Sequence, residues 1–218
     1  MEIIRIGLSC FRYRGKNSTV ISDPYDPNLV GPKLNGAKAD IVTISHHHPD
    51  HDYQAGVKPR EKQTITLDAP GEYEIRGVHI TGWKSYHDDK QGQERGKNTI
   101  FKIEIDGINI VHLGDIGHML SDSLIDEIGE VDILCIPVGG TYTINYQQAN
   151  EMVKKIDPRI VIPMHYQEPN LNPEVFASLD GVDKFSNEFG SSIIEPKLLV
   201  NQGKLPENTQ LIILSPSS

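Results

Sequence analysis

The sequence predicts an α/β domain of the layered α+β kind, with sheets inside and helices covering them. The N-terminal half is a succession of short β-branched segments bounded by Gly, Pro or Asp, whereas the C-terminal half alternates strands with helices whose caps can be read. The 218 residues suffice to bury one sizeable core and are few for two, so a single domain spanning residues 1–218 is expected. No low-complexity tract or fixed-period repeat divides it.

Taken in order, the predicted strands are Ile3-Ile4-Arg5-Ile6, Ser18 to Ile21, Ile41 to Ile44, Thr64 to Leu67, Glu72 to Ile75 and Val78 to Trp83. A hairpin follows. Thr99 to Ile105 alternates with period two, Asp106-Gly107 supplies a turn that tolerates positive φ, and Ile108 to Val111 returns. Ser121 is placed to cap a short helix through Ile128, ahead of a buried strand from Val131 to Pro137. Asn145 is placed to cap a helix to Ile156, with Ala149, Met152, Val153 and Ile156 on one face. Strand Ile160-Val161-Ile162 is next, and Asn172-Pro173-Glu174 carries the N-cap and first-turn Pro of another helix. Thr209 to Leu214 reads as the last strand.

The formal net charge of −9 argues against non-specific affinity for nucleic acid or anionic membrane. Glu2, Arg5, Arg12 and Arg14 interrupt the opening residues, and no stretch reaches the length of a membrane span, so a soluble, unexported protein is expected. Only Cys10 and Cys135 are present. Cys135 lies in the apolar run Ile133 to Ile136, where a free thiol behaves as a small buried hydrophobe, and a reducing cytoplasm fits better than a disulfide.

The chemistry concentrates in His46-His47-His48-Pro49-Asp50-His51. Were the preceding strand to continue briefly, His46 and His48 would share a face and converge on one ion while His47 pointed elsewhere. Pro49 would then break the strand and leave Asp50 and His51 to turn towards a second ion. A His-rich hexapeptide is also found in tags, but those sit at termini and lack this Pro and Asp. Imidazole and carboxylate donors without thiolate suit Zn²⁺, with Mn²⁺ and Fe²⁺ as competitors. A site for two ions needs further ligands, best held at strand ends, and three segments qualify: Ser85 to Asp89, Val111 to Asp115 and Ile162 to Tyr166. Asp115 is the natural bridge, because a carboxylate has two oxygens, and Gly114 gives the backbone room to turn it in.

The order H-x-H-x-D-H resembles the signature of the metallo-β-lactamase superfamily. Leu113-Gly114-Asp115 resembles its bridging-Asp segment, and the resemblance extends to Asp23-Pro24-Tyr25, Pro70 to Glu74, Arg95 to Thr99, Pro137 to Thr143 and Pro163 to Tyr166. These segments look like a branch of bacterial predicted zinc-dependent hydrolases similar to the ascorbate-6-phosphate lactonases. The resemblance implies an αββα sandwich with its metal site at one edge between the sheets. It further implies two divalent ions, one held by His46, His48, His87 and Asp115, the other by Asp50, His51, Asp115 and His165. His87 lacks the Gly-His context usual for that ligand, and His112 is the alternative; otherwise His112 is a supporting or buried histidine. His79 and His47 are expected to be uninvolved.

Two such cations would activate a shared water, lowering its pKa towards roughly 7, for attack on a carbonyl or phosphoryl centre. Asp50, Asp115, His118 and Tyr142 are the candidate catalytic groups, and Thr141 and Tyr166 candidate contacts to the oxyanion or leaving group. No nucleophile elbow, phosphate-binding loop or dinucleotide fingerprint competes. The expected substrate is a small anionic ester, lactone or phosphodiester. A tRNA-processing nuclease would need a basic extension, a β-lactamase an export signal, and a flavodiiron protein a Glu in place of His48 and a flavin domain. A metal-binding or di-iron redox protein without hydrolase turnover is the remaining alternative.

Overall fold

The computed structural model describes residues 1–34 and 36–217. In chain order the first strands are β1 (Glu2–Gly7), β2 (Cys10–Arg14), β3 (Thr19–Ser22), β4 (Lys38–Ala39), β5 (Ile41–Thr43), β6 (Lys58–Pro59), β7 (Ile65–Leu67) and β8 (Gly71–Ile75). There follow β9 (Val78–Tyr86), β10 (Lys97–Ile105), β11 (Ile108–His112), β12 (Ile133–Pro137), β13 (Ile160–Met164), β14 (Ile193–Glu195), β15 (Leu198–Leu199) and β16 (Gln210–Leu214). The helices are α1 (Pro27–Val30), α2 (Asp122–Ile128), α3 (Tyr146–Ile156), α4 (Pro173–Phe176) and α5 (Val182–Phe189). One sheet has six strands in the order β15-β1-β2-β3-β5-β7, the other eight in the order β14-β16-β13-β12-β11-β10-β9-β8, and β4 and β6 pair separately.

Strand alternation builds the layers. On β12, Ile133 and Cys135 join a core shared with Ile3, Phe11 and Val20 of the six-stranded sheet, while Leu134 and Ile136 face Ala149, Met152 and Phe185 of α3 and α5. Strands β11, β12, β13 and β16 are parallel and buried on both faces, which is why they read as continuous apolar runs. On the outer side of the six-stranded sheet, Leu8, Ile21 and Val42 pack with Val30 of α1 and Phe176 of α4. The result is helix, sheet, sheet, helix, the αββα sandwich.

The predicted hairpin forms with Ile105 opposite Ile108, and Asp106 and Gly107 take φ of 53° and 74°. Ser121, Asn145 and Asn172 cap α2, α3 and α4, with a full capping box at α3 between Asn145 and Gln148. Two expectations need correction. Strand β5 stops at Thr43, so His46 to Asp50 lie in bends and turns rather than on a continued strand. Strand β9 runs on to Tyr86, past the predicted Trp83, because Lys84 to Tyr86 keep pairing with Lys97 to Thr99. Cys10 and Cys135 are both buried and free, and among the described residues no helix is long and apolar enough to cross a membrane.

Candidate metal centre

Where β5, β9, β11 and β13 end, the structure brings seven side chains together. The donor atoms of His46, His48 and His87 lie within 4.8 Å of one another, as do those of Asp50, His51, Asp115 and His165. Asp115 stands between the groups. Its Oδ2 is 3.1 Å from His165 Nε2, 3.2 Å from His51 Nε2, 3.4 Å from His87 Nε2 and 4.0 Å from His46 Nε2. Of the two candidates for the third histidine of the first group, His87 is the one in it.

Buried polar atoms here are left without hydrogen bonds among the described residues: Asp115 Oδ1, His46 Nε2 and His51 Nε2, and the Nδ1 atoms of His87 and His165. Each would cost on the order of 1–3 kcal/mol if nothing satisfied it. Divalent cations would satisfy Asp115 Oδ1 and the two Nε2 atoms, and a donor set of imidazole and carboxylate suits zinc, manganese or iron. Burial and the neighbouring His51 hold His46 well below the usual imidazole range, and burial lowers His87 despite the pull of Asp115. Burial alone would raise Asp115, but His165 and His51 draw it well below the carboxylate range. These are the neutral and ionised forms that ligate a cation. Burial also opposes charge on His51, yet Asp115 and Asp50 outweigh it and raise His51 well above its ordinary value, so a proton competes for that position.

A buried network orients these side chains. Asp23 Oδ1 accepts from Ser45 N at 2.8 Å, and its Oδ2 accepts from Ser45 Oγ at 2.6 Å and from His51 Nδ1 at 2.9 Å. Because the Ser45 hydroxyl proton is committed to Asp23, Ser45 Oγ accepts from His46 Nδ1 at 2.9 Å. Both rings are thereby fixed with Nε2 turned towards Asp115, where on His51 a proton competes with a cation. Asn98 Oδ1 accepts from Asp115 N at 3.0 Å while its amide nitrogen donates to the Leu113 carbonyl at 2.9 Å. Gly114 makes this turn possible at φ 57°; a Cβ there would lie 2.3 Å from Asn98 Oδ1 and 2.5 Å from Ser45 Cβ. His112 is a support. Its Nε2 donates to the Ser9 carbonyl at 3.0 Å and its Nδ1 accepts from Gly114 N at 3.2 Å.

Several expected contacts are corrected by the geometry. His118 accepts from Tyr86 N at 3.2 Å through Nε2 and donates to the Met119 carbonyl at 2.9 Å through Nδ1, leaving no ring nitrogen for substrate. Tyr166 is buried, its hydroxyl accepting from Arg5 at 2.7 Å, and Thr141 Oγ1 donates to the Ser178 carbonyl. Tyr142 does line a cavity of about 250 Å³ with His48, Asp50, His87, Asp115 and His165, but its hydroxyl donates to the Val175 carbonyl at 3.1 Å. It is therefore a wall rather than an oxyanion donor. His47 points away, to Asp52 at 2.5 Å. Asp23 and Asn98 are the supports that residue spacing did not assign; their only signals were the Asp23-Pro24-Tyr25 and Arg95-to-Thr99 segments.

Comparison with known proteins identifies the family. The family described as a beta-lactamase superfamily domain matches residues 2–165, a span that contains all seven side chains. A metal-dependent hydrolase of Thermoplasma volcanium is 30% identical over 191 residues, covering 76% of this chain and 83% of that protein. One from Thermoplasma acidophilum is 29% identical over 223 residues, covering 91% and 96%. A Thermotoga maritima crystal structure, described as a member of the metallo-beta-lactamase superfamily, superposes with a TM-score of 0.79 at 33% identity, covering 98% of this chain and 97% of that one. The chain belongs to the metallo-β-lactamase superfamily and, within it, to the metal-dependent hydrolases.

Proposed function

We propose that the centre holds two divalent cations, zinc foremost with manganese and iron as competitors, and that the chain uses them to hydrolyse a small anionic ester, lactone or phosphodiester. The observation that carries this reading is the position of Asp115 Oδ2, within 4.0 Å of an imidazole nitrogen from both histidine groups. One ion would be held by His46, His48, His87 and Asp115, the other by Asp50, His51, Asp115 and His165. When bound, such a pair would supply a water-derived nucleophile near neutral pH and polarise the oxygens of an ester or phosphoryl group.

The chain's own residues do the rest. Asp23 and Ser45 keep the His51 and His46 rings in the ligating tautomer. Asn98 holds the backbone of Asp115, so the carboxylate that would join the two ions is fixed in place. Leu29, Val175 and Phe176 contribute apolar lining to the cavity. With a formal net charge of −9, affinity for nucleic acid or membrane is not expected; we place the protein in the cytoplasm, acting as one domain over residues 1–218 on a small molecule.

The test is a substrate panel. Metal-replete protein should hydrolyse a chromogenic phosphodiester, a phosphorylated lactone or a thioester, and His46→Ala or Asp50→Ala should abolish turnover. Protein that is inert across the panel yet consumes oxygen or nitric oxide with an electron donor would refute the hydrolase reading.

A further inference from the structure

A second hollow, of about 550 Å³, opens beside the turn that carries His46 and His48, and both side chains line it. Its far wall comes from β9 and β10. Lys84 and Thr99 are register partners there, as are Tyr86 and Lys97. Alternation puts Lys97 and Thr99 on the face of β10 that carries Phe101 and Ile103 into the inter-sheet core, and Lys84 on the matching face of β9 with Val78 and Ile80. The apolar interior between the sheets therefore ends in two lysines at the edge that holds the metal centre.

Arg95 is the third cation, lining both this hollow and the smaller cavity over the proposed ligands. Its place is built. Asp88, the residue after His87, accepts from the backbone N–H groups of Lys90, Gly92, Glu94 and Arg95 at 2.8–3.0 Å. His87 N donates to the Gly96 carbonyl at 3.1 Å and closes the loop at its base. The Arg95 guanidinium sits 5.1 Å from the centre of the Tyr142 ring.

Among the described residues, Lys84, Arg95 and Lys97 form no ion pair. The one carboxylate lining the hollow, Asp68, stands 3.7 Å from His47 Nε2. Three cations against one carboxylate leave a local excess near +2 in a protein whose formal net charge is −9. A phosphate monoester carries about −1.5 to −2 at neutral pH, which matches that excess.

We propose that this hollow is a substrate subsite for a second anionic group, set back from the scissile bond and held by Lys84, Arg95 and Lys97, with Arg95 spanning the subsite and the metal centre. The proposal rests on the hydrolytic reading of the centre. It gives the Arg95-to-Thr99 segment a purpose: Arg95 and Lys97 select the substrate while Asn98 holds Asp115.

Calorimetric titration of the metal-replete protein with alkane bisphosphonates of increasing tether length, each paired with the monophosphonate of the same chain, tests it without turnover. At one tether length the bisphosphonate should bind at least tenfold more tightly than its partner, beyond the twofold that two identical ends supply. The gain should vanish when Lys84, Arg95 and Lys97 are all replaced by Met. It should persist with Lys97→Arg, and when the distant Lys16, Lys154 and Lys204 are replaced by Met instead. Elemental analysis showing unchanged metal content establishes that the centre of each variant is intact. No gain at any tether length, or a gain that survives the triple replacement, would overturn the subsite even if the protein hydrolyses esters. A gain in a protein that hydrolyses nothing would uphold the subsite and overturn the hydrolase reading.

Discussion

Gly114→Ala puts a methyl group where the structure has no room for one. The backbone there is left-handed at φ 57°, which costs an L residue about 1–2 kcal/mol. The new Cβ would lie 2.3 Å from Asn98 Oδ1, 2.5 Å from Ser45 Cβ and 2.8 Å from Ser45 Oγ, and overpacking of this kind costs typically about 1–3 kcal/mol. Together these predict a loss of roughly 2–5 kcal/mol from an ordinary domain stability of about 5–15 kcal/mol, so the variant should still fold. The displaced atoms are those that hold Asp115 N and link Asp23 to His46, so metal binding should weaken as well. Urea unfolding in the presence of chelator would measure the first effect, and competition titration with a chromogenic zinc chelator the second. A variant within about 0.5 kcal/mol of the parent, the range of a neutral surface substitution, with unchanged zinc affinity would refute the claim that this turn supports the centre.

Three further outcomes are expected. His87→Ala should reduce zinc affinity by orders of magnitude, whereas His112→Ala should cost at most the roughly 10–100-fold typical of a supporting residue; the reverse ranking in the same titration would move the third histidine to His112. Asp23→Ala removes the acceptor for both His51 Nδ1 and Ser45 Oγ, so zinc affinity should fall by about 10–100-fold while all seven proposed ligands remain; an unchanged affinity would contradict the orienting role. Arg5→Met leaves the Glu168 carboxylate without the guanidinium that donates to it at 2.6 and 2.8 Å, and breaking a buried pair this way costs about 3–5 kcal/mol. Urea unfolding that shows a loss below about 1 kcal/mol would show that pair to be dispensable.

Much of the fold was legible because its signals are local. The Asp106-Gly107 hairpin and the caps at Ser121, Asn145 and Asn172 each depend on a few adjacent residues. Strand β2 was missed although Phe11 and Tyr13 alternate into the core, since Arg12 and Arg14 between them make the segment look like surface. Helix α5 has Gly181 at its N-cap and no side-chain cap, so the spacing of Val182, Phe185 and Phe189 has no start signal beside it. Strands β14 and β15 form by pairing with β16 and β1, a tertiary event that leaves Ile194 and Leu199 exposed at 68% and 67%.

The histidines and aspartates of the centre stood out by type and order, but their supports did not. Asp23 reaches Ser45 and His51 across 22 and 28 residues of sequence, and Asn98 reaches Asp115 across 17. For His118 and Tyr166 the error ran the other way. Their side chains are chemically able, yet the fold turns one to the backbone and the other to Arg5.

Metal stoichiometry is the most direct test of the whole account. Protein stripped with chelator, titrated with Zn²⁺ and assayed by elemental analysis after removal of excess metal should retain close to two ions per chain. Asp115→Ala should weaken both sites together, because that carboxylate lies within 4.0 Å of an imidazole nitrogen of each histidine group, while His47→Ala should leave both filled. A single tight ion with no second site on titration, or an Asp115→Ala variant that still holds two, would contradict a centre built around Asp115.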